Sequence, residues 1–243
     1  MSYRDDSDLV FLGGRSDDDL SNLVYVLTHD KDGEKRDFTG DLMCTAGYKT
    51  YFPHHHMYWK DIAAEIQCYG ANTFATMFRG GKGVLYREVL IDVCDKFKVN
   101  YNEKSRTERI ELLLLAKVFE DAVEQMSPED LKKLAVEFGL NNTNDITAEV
   151  LTGSIMTIFR MGGFQSYRIA VTVANSVFSF FCGRGLTFAT NALLTRTLSV
   201  LTGPIGWVLT ALWTAVDIAG PAYRVTIPSV IAVAALRQKA MQS

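Results

Sequence analysis

The spacing closest to a phosphate loop lies at residues 78–88, FRGGKGVLYRE. Gly80, Gly81 and Gly83 could present backbone N–H groups to an anion, with Arg79 and Lys82 beside them. A Walker loop needs four residues between its first Gly and the Gly-Lys pair, then Ser or Thr after the Lys, where this chain has Gly83. The stretch is therefore expected to be a turn between helices. Its chemical alternative is an anion-binding turn made of Arg79, Gly80, Gly81, Lys82 and Gly83.

A second candidate is PHHHMYW at 53–59. Three adjacent His cannot converge on one ion from a helix, where the useful spacing is i, i+4, so a solvated loop ahead of a helix is expected. The acidic runs Asp5, Asp6, Asp8 and Asp17 to Asp19 lack the alternating oxygen ligands and the Gly of a calcium loop and read as helix caps. Four Cys, at 44, 68, 94 and 182, share no short spacing, which favours reduced, buried thiols over a disulfide scaffold or zinc site. No GxSxG, HExxH or paired catalytic carboxylates occur. No catalytic residue, metal or cofactor is expected.

The constellation that says most is C-terminal, in TLSVLTGPIGWVLTALWTAVDIAGPAYR at 197–224. Residues 197–216 carry no charge, yet Arg160, Arg168, Arg184 and Arg196 break the rest into gaps below the roughly 20 residues of a bilayer span. Pro204 is expected in a first turn, giving a helix over roughly 203–219. On it Ile205, Val208, Leu209, Leu212 and Val216 form one stripe, while Thr210, Thr214 and Asp217 gather on another face. Grouped polar residues suit a helix packed in a bundle or lying in a membrane interface. Asp217 could then pair with Arg224 or an earlier Arg.

Helical grammar dominates the elements that position these groups. In SDDDLSNLVYVL, Ser16 caps, three Asp meet the helix dipole, and Leu20, Leu23, Val24 and Leu27 share a face. Turn chemistry follows at HDKDGEKRD. YWKDIAAEIQCYG and VLYREVLIDVCDKF are amphipathic, and TERIELLLLAKVFEDAVEQM is long, apolar over a wide face and expected to be central. SPEDLKKLAVEFGL opens on Ser127 with Pro128 at N1 and Asp130 at N3, and Gly139 ends it. No alternating strand and no internal repeat is evident.

The whole chain, 243 residues with 48% hydrophobic and 22% charged, is that of a globular protein. Its net charge of −3 conceals an asymmetry: residues 1–150 hold 18 Lys and Arg against 27 Asp and Glu, residues 151–243 hold 7 against 1. The two parts attract each other, or the second faces an anionic surface. A sequence pI near 5.8 argues against broad nucleic-acid affinity. MSYRDDSDLVFL carries acids where a signal peptide has its basic region, so no secretory signal is read.

The stretches YRDDSDLVFL, LTHDKDG, DIAAEIQCYGANTFATMFRGGKGVLYREVLIDVCDKFKVNY and GPAYRVTIPSVIAVAALR resemble the YaaW-like family of bacterial proteins over essentially the whole chain. The resemblance implies a short N-terminal domain of unknown function, then a helical region similar to the ubiquinol–cytochrome c chaperone domain. It implies an all-helical, non-catalytic protein and transfers no catalytic residue.

The expectation is an all-α, multi-helix bundle with an apolar, Gly/Pro-hinged C-terminal helical subdomain. Its divisions are 1–38, a short helical domain; 39–145, acidic, helical and chaperone-like; and 146–243, apolar and Arg-containing. The expected function is non-enzymatic: a chaperone-like or scaffold protein that binds an apolar protein client or an anionic membrane surface, with self-association open. Arg160, Arg168, Arg184, Arg196, Trp207, Trp213, Asp217 and Arg224 would make the contacts. A membrane-inserting, pore-forming effector and a weak nucleotide or nucleic-acid binding module are the alternatives, and no DNA partner is expected. The expected place is the cytoplasm or, peripherally, the membrane surface.

Overall fold

The computed structural model describes residues 2–36, 42–70, 83–140, 146–187, 195–216 and 222–242. Among them stand ten α-helices: α1 (Asp17–Thr28), α2 (Ala46–Tyr51), α3 (Trp59–Gly70), α4 (Tyr86–Lys96), α5 (Thr107–Val123), α6 (Pro128–Glu137), α7 (Ala148–Met161), α8 (Gly163–Cys182), α9 (Thr195–Val216) and α10 (Tyr223–Ala240). Short 3-10 turns lie at Val10–Gly14 and His55–Tyr58. One antiparallel β-bridge joins His29 to Lys35. It closes the turn in HDKDGEKRD, where the Asp30 carboxylate accepts from the Asp32 and Glu34 N–H groups at 3.0 Å each. The protein is all-α.

Local chemistry sets the helix starts. The Ser16 and Ser127 hydroxyls accept from the N–H groups of Asp19 and Asp130, each at 3.2 Å, as capping residues do. Pro128 fills N1 of α6, and Gly139 follows its end with φ 74°. On α1, Leu20, Leu23, Val24 and Leu27 are all buried.

The centre of the fold is α10 rather than α5. Every residue from Val225 to Gln238 is buried, because α1, α3, α4, α5 and α8 surround this helix. Its face-to-face apolarity hides it from a periodicity argument: a helix wrapped on all sides needs no polar face. The small residues Ala232, Ala234 and Ala235, fully buried, let the neighbouring helices come close. α5 buries one broad face against α7, α9 and α10.

The helix expected over roughly 203–219 begins earlier, at Thr195, and passes through Pro204. The physical reason is the buried register Leu201, Ile205, Leu209, spaced by four. Burying Leu201 requires helix before the proline, which offsets the lost backbone bond. Val208 is half-buried and Thr210 exposed, so the described part of the two faces is as the wheel assigns them. α9 lies on α5, α6 and α8 and keeps one face outward. Among the described residues no helix is long and apolar enough to cross a membrane.

α8 stops at Gly183, whose φ of 65° is left-handed, and a Cβ there would stand 2.4 Å from the Lys31 carbonyl oxygen. Beyond it, the Asn22 side chain of α1 accepts from the Thr187 N–H at 2.9 Å and donates to its hydroxyl at 2.8 Å. Residues from all three expected divisions enter one continuous core.

Candidate functional site

The acids of the N-terminus fold onto distant helices. One Asp6 oxygen accepts from the Tyr86 N–H at 2.7 Å, capping α4 from outside its own stretch, and from the Gln67 amide at 3.2 Å. Gln67 also exchanges two hydrogen bonds with the backbone of Arg4 (3.1 and 2.9 Å). The Asp8 carboxylate accepts from the Thr107 hydroxyl at 2.8 Å, at the start of α5.

Behind this strap lies a buried charge pair. Arg237 on α10 donates through Nε to Glu111 Oε2 on α5 at 2.7 Å and through Nη2 to the Asp8 carbonyl at 2.6 Å. Its guanidinium also covers the Phe11 ring, 4.4 Å from the centroid. Tyr86 donates its hydroxyl to Glu111 Oε1 at 2.8 Å. Burial pushes the Glu111 carboxyl upward, while Arg237 and Tyr86 pull it back toward the charged form. All the groups are satisfied within the protein, and nothing opens the pair to a substrate. Its role is to hold the strap, α4, α5 and α10 together.

The His run differs from the solvated loop expected of it. His55 is buried in a 3-10 turn with Nδ1 against the Tyr58 hydroxyl, and Phe52 meets its ring edge-on. His54 and His56 flank it and clamp Asp17, at 3.5 and 2.7 Å from the carboxylate. The α1 N-terminus draws the outer two His by supplying an acid, and the aromatic cluster draws in the middle one. The backbone N–H of His56 is the largest influence holding the Asp17 carboxyl down to about 2. Among the described residues no His, Cys, Asp and Glu cluster could hold a metal ion.

Burial also lowers the His55 pKa. The unfolded chain therefore takes up a proton first as pH falls through roughly 6.5, and stability is lost from there down to the folded pKa. The melting temperature is expected to drop between pH 7.5 and 5.5. His55→Gln should flatten that drop, leaving the contribution of His29, which burial shifts the same way. An unchanged slope in the variant would remove His55 as the cause.

Of the four Cys, Cys94 and Cys182 are the buried ones, and burial raises both thiols to about 12. Cys44 is exposed and Cys68 half-buried, against the expectation that all four lie inside; none forms a disulfide.

The Arg set is spread. Arg160 is exposed at the end of α7, and Arg168 is half-buried, donating to Gln165 at 3.2 Å. Arg184 lies 4.4 Å over the Tyr25 ring of α1, at the other end of α8. Fourteen helical residues separate Arg168 from Cys182, roughly 21 Å, so those two Arg serve different ends of the molecule. Arg224 is exposed at the start of α10. Asp217, the side chains of Arg196 and Trp213, and Arg79, Gly80, Gly81 and Lys82 lie outside the described residues. Gly83 is packed: a Cβ there would sit 2.3 Å from the Gln67 carbonyl carbon, and the Val84 N–H donates to the Gln67 oxygen at 3.1 Å.

Trp207 is different. It is 74% exposed on the outward face of α9, and it borders a groove of about 530 Å³ between α4, α5 and α9. Phe97, Val208 and Ala211 add apolar surface; Lys96, Lys98, Lys117, Asp121, Glu124 and Gln125 complete the lining. Lys117 is paired with Glu120 at 3.2 Å and Asp121 at 2.7 Å. Lys96 sits over the Tyr223 ring at 5.0 Å. A volume within the roughly 300–1,000 Å³ of ligand sites, with an aromatic wall and charged rims, is of a size to seat a partner group. The sequence marks Trp207 but not its partners. Phe97, Lys98 and Glu124 lie in stretches that only the fold brings beside α9.

Two family models match the chain. The Domain of unknown function (DUF3944) matches residues 3–36, and the Ubiquinol-cytochrome C chaperone matches residues 54–232. No solved structure matches. A UPF0174 protein of Helicobacter pylori strain J99 is 49% identical over 243 residues, spanning 100% of this chain and 95% of the relative. Another, from Helicobacter pylori strain 26695, is 43% identical over 203 residues, 82% of this chain and 97% of its own. The UPF0174 protein YaaW of Escherichia coli strain K12 is 30% identical over 246 residues, 98% of this chain and 96% of its own. With similarity running from end to end and the chaperone model covering most of its length, the chain belongs to the YaaW-like UPF0174 family.

Proposed function

We propose that this chain is a non-enzymatic, chaperone-like helical protein that holds an apolar segment of a client protein in the cytoplasm. The observation that carries the reading is Trp207, a large aromatic left 74% exposed at the wall of a groove. Exposed aromatics of this kind anchor protein interfaces and account for much of their affinity. The match to the ubiquinol–cytochrome C chaperone model supports a protein partner in general. The burial of α10, and of α8 over most of its length, narrows the interacting surface: these C-terminal helices are used inside the fold, and α9 keeps the outward face.

The test is aggregation of an apolar helical protein diluted from urea, followed by light scattering. The wild-type protein is expected to suppress scattering near equimolar ratio. Trp207→Ser should need about tenfold more protein for the same effect, at an unchanged melting temperature. Equal protection by the variant would overturn the reading. Co-flotation with anionic vesicles at low salt, without client protection, would replace the client by a membrane surface.

A further inference from the structure

The groove beside Trp207 is walled by α4 with the residues that follow it, by the end of α5, and by α9. Backbone groups within helices are already paired, so these walls offer an incoming chain little to hydrogen-bond. An extended partner would bury its own backbone N–H and C=O groups unmet. A helical partner brings its backbone already satisfied and can lay an apolar stripe on Phe97, Val208 and Trp207.

The rim charges narrow the choice further. On the α5 side Lys117 is outnumbered by its partners Glu120 and Asp121, and Glu124 adds a further carboxylate, so that rim is acidic. On the α4 side stand Lys96, held over the Tyr223 ring, and Lys98, exposed at φ 54°. No carboxylate lies within ion-pair distance of either lysine among the described residues. An occupant that carries an acid on its α4-facing edge, beside its apolar stripe, complements these two lysines, and one with a lysine on that edge is repelled.

We infer that the groove between α4, α5 and α9 seats an amphipathic helix of a client protein, with an acidic side chain of that helix directed at Lys96 and Lys98. This rests on the reading of the protein as a client binder and names the feature it selects.

Three labelled peptides of about eighteen residues test it, each with a Leu stripe at i, i+3, i+4 and i+7 and with Glu, Gln or Lys along one edge of the stripe only. Fluorescence anisotropy with the full-length protein should rank them Glu, Gln, Lys, with about three- to tenfold between the extremes at low salt. Lys98→Glu should compress that order and Lys96→Glu/Lys98→Glu should reverse it; Trp207→Ser should weaken all three. Melting curves establish that each variant is folded. Peptides that bind through Trp207 but without charge order would overturn the inference and leave the client-binding reading standing. So would protection of the aggregating client with no binding of any peptide. Loss of client protection by the wild type would overturn both.

Discussion

Arg237→Met is expected to lower the unfolding free energy by about 3–5 kcal/mol, because it leaves Glu111 charged, buried and without its cation. Glu111 is 1% exposed and Arg237 9% by side chain, so water reaches neither partner effectively. The damage extends beyond the pair, since the Asp8 carbonyl loses its donor and Phe11 loses the guanidinium that covers it. Glu111→Leu/Arg237→Met should lose less than Arg237→Met alone, as apolar replacements of buried pairs do. The double variant still strips the Tyr86 hydroxyl of its Glu111 acceptor, so adding Tyr86→Phe should recover more. Urea denaturation of the four proteins measures this. A single variant no worse than the double would show that the pair is not desolvated in solution.

A chain ending at residue 222 should have no cooperative thermal transition. It lacks α10, and with it Val225, Ile227, Val230, Ile231, Val233 and Leu236, all at most 2% exposed. At about 1.5–3 kcal/mol for each buried aliphatic, their loss removes on the order of 9–18 kcal/mol, as much as the whole stability of an ordinary domain. It also uncovers α8, whose residues Ile169 to Phe178 are buried throughout. Calorimetry and near-ultraviolet dichroism check this; a sharp transition in the shortened chain would refute the central position of α10.

The local part of the fold was legible from residues alone. Ser16 and Ser127 as caps, the Leu20, Leu23, Val24, Leu27 face and the end of α6 before Gly139 each depend on neighbours within one or two helical turns. What was hidden depends on distant partners. Asp6 caps a helix that begins 80 positions later, and nothing in MSYRDDSDLV signals which N–H it will find. His55 and its neighbours point in opposite senses because α1 offers an acid on one side and Tyr58 a hydroxyl on the other. The site divides likewise. Trp207 stands out as an aromatic in an uncharged run, whereas Lys96 and Lys98 resemble the lysines of any helix end until α9 is laid beside them.

The ties between Asp8 and Arg237 and between Asp19 and Lys239, each 2.6 Å, join residues more than 200 positions apart. Synthesis runs from the N-terminus at about 5–20 residues per second, so roughly 11–46 s separate the appearance of Asp8 from that of Arg237. Throughout that interval Phe11 and the buried face of α1 wait for a central helix not yet made. The core is therefore completed only once α10 has been synthesised, and until then the apolar segments that it covers stand open.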